Sequence, residues 1–252
     1  MHGLIWDEIE IVMFDLDGTI YYGEKIIPGA NDVVKRFREC GKKVHFTTNN
    51  STKTRKQIFE RLIKMGVDVS EDEVLSSGYL AAQYAKKHEF DNIYILGSDD
   101  LISEFHNLGV EVYQKEDAKN LLIGYYPNIT YDDMTTAVRV ALNAENIIAC
   151  NKERVYPGKD AKLFPGCGAM TSIIEWCANR ECDLVIGKPN TMMITYLCNI
   201  NKINSSQILV IGDTYESDII MANEAGSQSI LIGYKDKYVR SVDKISDILN
   251  MI

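Results

Sequence analysis

At 252 residues, with 46% hydrophobic and 25% charged positions, the chain has room for one large domain or two modest ones and the composition of a globular protein with a real core. Lys and Arg total 27 against 36 for Asp and Glu, a formal charge of −9, which excludes a bulk electrostatic pull on nucleic acid or on an anionic membrane surface. The six cysteines form no C-x-x-C pair and the four histidines offer no zinc spacing, so reduced thiols in a cytoplasmic protein are expected.

The stretch from Met1 to Glu10 carries acids and lacks an apolar h-region, so no signal peptide is expected in it. No apolar run approaches the ~20 residues that span a bilayer. Ile11-Val12-Met13-Phe14 is the first apolar run and leads straight into Asp15-Leu16-Asp17-Gly18-Thr19. Val33, Val34 and Phe37 then share one helical face, with Gly41 as its stop. Val44-His45-Phe46 is the next run and ends in Thr47-Thr48-Asn49-Asn50. Ile58, Leu62 and Met65 mark a second helix, with Ser51 or Thr52 as its cap and Gly66 at its end. Ile93–Leu96 and Leu121–Ile123 follow as apolar runs, and a helical stretch is read from Tyr131 to Ala144. Leu184-Val185-Ile186 runs into Gly187-Lys188-Pro189, and Ile208–Ile211 into Gly212-Asp213. Ile230-Leu231-Ile232 is the last run. There is no internal repeat and no low-complexity segment.

These runs are rich in β-branched residues and lack polar alternation, as strands buried on both faces of a parallel sheet do. With helices between them they predict an α/β fold, a doubly wound Rossmann-like parallel sheet. Ligands bind such sheets at the C-terminal ends of the strands. Four of the predicted strands end there in polar or glycine-containing turns, which a purely structural protein does not need.

Asp15 and Asp17 flank one residue, and in extended backbone alternate residues face the same side. Asp213 and Asp218 follow another strand. Four converging carboxylates repel one another unless a positive charge sits among them. Mg²⁺, a hard cation that takes oxygen ligands and phosphate substrates, is the natural answer. Any one of these aspartates, taken alone, reads better as a cap on the following helix; the four together do not. Thr48, Asn49 and Lys188 are candidate phosphate handles, and Gly18 would let backbone N–H groups approach an anion. Each has a plainer reading, as a turn before a helix or a solvated lysine. Other motifs fail. Ile20 and Ile26 stand where a calcium loop needs Gly and Glu, Cys182 stands where a P-loop needs Gly, and no G-x-S-x-G is present. His45 reads as structural.

Asp15-Leu16-Asp17-Gly18-Thr19, Thr48-Asn49, Lys188, and Gly212-Asp213 with Asp218 resemble the four ordered motifs of the haloacid dehalogenase (HAD) phosphatases across essentially the whole chain. The resemblance implies a Mg²⁺-dependent phosphatase in which Asp15 attacks phosphorus and Asp17 serves as general acid and then general base. It implies that Mg²⁺ is held by the Asp15 carboxylate, the Asp17 carbonyl and Asp213, with Asp218 ordering its water. Thr48, Asn49 and Lys188 would bind the phosphoryl oxygens. Asp17 separates the chain from the dehalogenases and from the ion pumps, which carry Thr there.

About 30 positions separate Thr19 from Thr48, but about 140 separate Thr48 from Lys188, too many for one crossover. A cap domain inserted at residues 80–182 is therefore expected, the HAD core comprising residues 1–79 and 183–252. With Tyr21-Tyr22-Gly23, Pro28-Gly29-Ala30 and Gly187-Lys188-Pro189, the chain resembles the NagD-like, p-nitrophenylphosphatase-type branch. It departs from that branch at Tyr125-Tyr126-Pro127 and at Glu153, where Asp is usual. The cap tyrosines Tyr125, Tyr126 and Tyr131 read equally as pocket, cap core or subunit contact. The expected substrate is a small phosphorylated metabolite such as a sugar phosphate, nucleoside monophosphate, pyridoxal phosphate or glycerol phosphate. A homodimer through the cap is the family-level expectation. The alternatives are a phosphomutase, which the short Thr19–Thr48 span disfavours, and a non-catalytic phosphometabolite-binding module.

Overall fold

The structure, a computed structural model, describes residues 6–157, 162–233 and 239–252; the first five residues of the stretch read as leaderless lie outside it. In chain order the strands are β1 Ile11–Asp15, β2 Tyr21–Tyr22, β3 Lys25–Ile26, β4 Lys43–Thr48, β5 Val74–Ser76, β6 Ile93–Leu96 and β7 Asn120–Ile123. They continue with β8 Asn146–Ala149, β9 Val155–Pro157, β10 Leu163–Pro165, β11 Leu184–Val185, β12 Ile208–Gly212, β13 Gln228–Ile232 and β14 Ser241–Val242. The helices are α1 Ala30–Glu39, α2 Arg55–Lys64, α3 Ser77–Lys87, α4 Asp99–Asn107, α5 Tyr131–Ala141, α6 Cys167–Ala178, α7 Met192–Asn201 and α8 Ile220–Ala225. No helix among the described residues is long and apolar enough to cross a membrane. The chain divides into two compact units, one of residues 1–48, 58–75 and 188–252, the other of residues 49–57 and 76–187.

The first unit is built on a six-stranded sheet of order β14-β13-β12-β1-β4-β5. All five residues of β1 are buried, which explains why the run shows no polar alternation. β1 lies parallel to both neighbours, Phe14 opposite Ile211 of β12 and Asp15 opposite Thr47 of β4. One core joins Phe14, Phe37 and Phe46, with ring centroids 5.9 and 6.1 Å apart. α1 buries Val33, Val34 and Phe37, the face read from sequence, and Gly41 follows it in the left-handed region.

α2 starts later than its predicted caps. Thr54 Oγ1 accepts from Gln57 N at 3.2 Å and Gln57 Oε1 accepts from Thr54 N at 2.9 Å, a reciprocal cap. Ser51 accepts from Tyr125 N instead, and Thr52 donates to the Asn50 side chain.

The second unit contains a four-stranded sheet of order β11-β8-β7-β6 and the β9–β10 hairpin. Its core gathers Leu121, Ile123, Ala137, Val140, Ile147 and Ile174. α5 ends at Ala141, short of the predicted Ala144, and Thr130 caps its start by accepting from Asp133 N. The run at Leu184, read from sequence with the sheet that carries Asp15, belongs here, since Leu184 pairs with Ile148 and Val185 with Ala149. Both residues of this strand are half-buried, and an apolar run does not record which strand it pairs with.

Residues 49–57 are tied into this unit. Lys53 Nζ lies 2.7 Å from Asp100, and Arg55 N donates to Glu104 Oε2 at 2.7 Å.

Candidate active site

Asp15 is the last residue of β1, and Asp213 follows β12 directly. Asp218 lies on the π-helical turn Tyr215–Ile219, with its Oδ2 accepting from Thr214 N at 3.2 Å. The adjacent parallel strands β1 and β12 thus end together, and one carboxylate oxygen from each of Asp15, Asp213 and Asp218 falls within 4.8 Å of the others. Lys188 is only 2% exposed. Its ammonium donates to Asp15 Oδ1 and, at 2.7 Å, to Asp218 Oδ1.

Two glycines make this convergence possible. Gly18 has φ 90°, and a Cβ there would overlap the Asp213 carboxylate. A Cβ on Gly212 would overlap Asp218. The Gly18 N–H itself donates to the Tyr21 carbonyl at 2.9 Å. Gly18→Ala is therefore expected to cost about 1–3 kcal/mol of stability in the metal-free protein and to displace Asp213. Denaturant unfolding tests the first effect and metal titration the second; wild-type values for both would mean that the close approach of Gly18 and Asp213 is unimportant.

Burial pushes Asp15 well above the usual carboxylate range; the Lys188 charge pulls against that, and Asp218 and Asp213 add to it. Burial, then the Asp218 charge, lifts Asp213 to about 6. For Lys188, burial disfavours the charge, but Asp15 and Asp218 outweigh it and hold the ammonium above its ordinary value. Three carboxylates face one ammonium, so negative charge is in excess. The donors are all oxygens, and they converge. That donor set fits a hard metal ion.

Asp17 is exposed at the end of the same loop. Its Oδ2 accepts from Tyr21 Oη at 3.1 Å. Partial desolvation by the surrounding chain raises Asp17, and the Tyr21 donation opposes that rise. Thr48 closes β4 and is buried. Asn49 is buried in the second unit. Its Nδ2 donates to Glu153 Oε1 at 2.8 Å, and its carbonyl accepts from Ser77 Oγ and Asn151 Nδ2, each at 2.8 Å.

Of the residues picked from sequence, the structure gathers Asp15, Gly18, Lys188, Asp213 and Asp218 into one cluster. Tyr21, Gly212 and Glu153 each contact a picked residue, yet none was picked itself. Tyr21 lay inside a quoted motif, but spacing alone does not show where a hydroxyl points.

Sequence profiles of haloacid dehalogenase-like hydrolases match residues 12–111 and 185–239. Sugar-phosphatase AraL of Bacillus subtilis is 32% identical over 88% of this chain and 82% of its own length. Phosphoglycolate phosphatase 1A of Arabidopsis thaliana is 30% identical over 90% of this chain and 69% of its own. Among solved structures, a p-nitrophenyl phosphatase from Archaeoglobus fulgidus superposes with TM-score 0.89 at 28% identity, covering 97% of this chain and 99% of that one.

Proposed function

We propose, because this chain belongs to the haloacid dehalogenase-like hydrolase family, that it hydrolyses a small phosphorylated metabolite through an aspartyl-phosphate on Asp15, with Mg²⁺ as its metal. It is a phosphoric monoester hydrolase of the NagD-like, p-nitrophenylphosphatase-type branch. The observation that carries the finer reading is the convergence of buried Asp15 and Asp218 and half-buried Asp213 near Lys188 at the ends of adjacent parallel strands.

An Asp15 carboxylate oxygen forms a bond to phosphorus as the bond from phosphorus to the leaving oxygen breaks. Asp17 gives its proton to that leaving oxygen. It then takes one from the water that attacks the aspartyl-phosphate, which frees Asp15 and releases inorganic phosphate. Thr48 and Lys188 bind the phosphoryl oxygens, and the Lys188 ammonium offsets their charge. Held by the Asp15 and Asp213 carboxylates and the Asp17 carbonyl, with Asp218 ordering its water, Mg²⁺ would supply further positive charge at the phosphoryl group.

We read the second unit as the inserted cap, residues 80–182 in the sequence reading, and as the part that selects the leaving group. Sugar phosphates are the first substrates to try, because a sugar phosphatase is among the relatives. A cytoplasmic homodimer joined through the second unit belongs to the same reading; α6 leaves Trp176 87% exposed there.

Phosphate release from p-nitrophenyl phosphate should require Mg²⁺ and stop with EDTA. Thermal unfolding should rise with Mg²⁺, and by more at pH 7.5 than at pH 5. Asp213 has a folded value of about 6 against an ordinary 3.8, so ionising it costs stability as pH climbs through that range. Bound metal removes the cost, whereas below it the metal must displace a proton. Equal Mg²⁺ shifts at the two pH values would mean that this cluster is not the ligand set.

A further inference from the structure

The motif Tyr21-Tyr22-Gly23 takes no part in the chemistry above, yet Tyr21 is bonded to Asp17. Tyr21 is 3% exposed and donates from Oη to Asp17 Oδ2 at 3.1 Å. The backbone pins the same turn, since Gly18 N donates to the Tyr21 carbonyl at 2.9 Å and Asp17 bridges Tyr21. Behind the ring stands Arg61 of α2. Its guanidinium carbon lies 4.4 Å from the Tyr21 ring centroid, and Nη1 donates to Tyr21 Oη at 3.4 Å. Arg61 is fixed in turn by Nη2, which donates to the Gly23 carbonyl at 2.6 Å, and by Glu24 at 3.5 Å.

The bonds run one way, from Arg61 to the Tyr21 oxygen and from the Tyr21 hydroxyl to Asp17. A carboxylate that must both give and take a proton needs one oxygen fixed and the other available for transfer. Asp17 is exposed and sits on a loop, so packing does not fix its rotamer. The hydroxyl supplies a bond that can, and the cation over the ring face holds that hydroxyl in place.

We infer that Tyr21, backed by Arg61, is a positioning residue that holds Asp17 by Oδ2 and leaves Oδ1 for proton transfer; the inference rests on the acid–base part assigned to Asp17. Tyr21→Phe removes one oxygen and keeps the ring that Arg61 covers, so the fold should survive it.

The experiment compares wild type, Tyr21→Phe and a Tyr22→Phe control, whose hydroxyl is on a residue 66% exposed. Turnover is measured on an alkyl phosphate ester, which needs its leaving oxygen protonated, and on p-nitrophenyl phosphate, which hardly does. Tyr21→Phe should lower kcat about tenfold on the alkyl ester and by a clearly smaller factor on the aryl ester, with KM within about twofold of wild type. Tyr22→Phe should match wild type on both. Equal losses on the two esters, or none, would overturn the positioning role. Crystal structures of the same proteins give a readout free of activity: Asp17 should keep one rotamer in wild type and spread over several in Tyr21→Phe. An unchanged single rotamer would overturn the inference even if neither ester were hydrolysed. Failure of the phosphatase reading itself is separate, and would show as wild-type protein that turns over neither ester while its Asp17 still loses order in the variant.

Discussion

Asp15→Asn should lower phosphate release from p-nitrophenyl phosphate by at least about a thousandfold, because an amide oxygen is neutral and far less nucleophilic than a carboxylate. The change is nearly isosteric, and Lys188 keeps its 2.7 Å partner Asp218, so the variant should fold. Circular dichroism and thermal unfolding establish that point independently of activity. Beryllofluoride should stabilise the wild type, where it can bond to the Asp15 carboxylate, and not the variant. Comparable turnover by the two proteins would remove Asp15 as nucleophile or trace the activity to a contaminant. A dead variant that still gained stability from beryllofluoride would place the phosphoryl acceptor elsewhere.

Lys188→Met should damage the protein in a second way. Lys188 is the cation bonded to both Asp15 and Asp218 in the interior. Removing it leaves buried carboxylates without their ammonium, a loss of about 3 kcal/mol by comparison with other broken buried pairs. Part of this loss is relieved when the acids take up protons. Asp15 and Asp213 already sit above the ordinary carboxylate range, so the deficit should be larger at pH 7.5 than at pH 5. Saturating Mg²⁺ should restore much of the stability and little of the activity, since Lys188 is also assigned to the phosphoryl oxygens. Denaturant unfolding at two pH values, with and without Mg²⁺, separates these effects. A deficit independent of pH and of metal would show that the lysine contributes packing rather than charge.

Much of the fold was legible because β1 and β12 are consecutive apolar residues running into reactive ones, and β4 a shorter apolar stretch around His45 running into Thr47 and Thr48, a local signal. β8 escaped notice because only Ile147 and Ile148 stand out within it. β11 was visible as a run but joins the other sheet, and its partner Ile148 is a choice that no local pattern records. The aspartates of the cluster were legible by spacing. The two hydrogen bonds that Lys188 donates were not, because Asp15 lies 173 positions away and Asp218 30, and only the folded chain brings them together. Asn49 illustrates the same limit: its type suggested a phosphate contact, but no local pattern shows that its amide is bonded to Glu153 across 104 positions.

The allegiance of residues 49–57 bears on building chimeras. Ser51, Lys53 and Arg55 find their partners in Tyr125, Asp100 and Glu104, so the second unit is a module in two pieces, 49–57 and 76–187. A graft that moved only the longer piece into a relative would strip Tyr125 N and Glu104 of bonds they make here, and would leave the host's own short segment facing a foreign surface. If the second unit is the substrate-selecting cap proposed above, swapping substrate preference between relatives calls for exchanging both pieces together, the short one beginning at the residue right after Thr48.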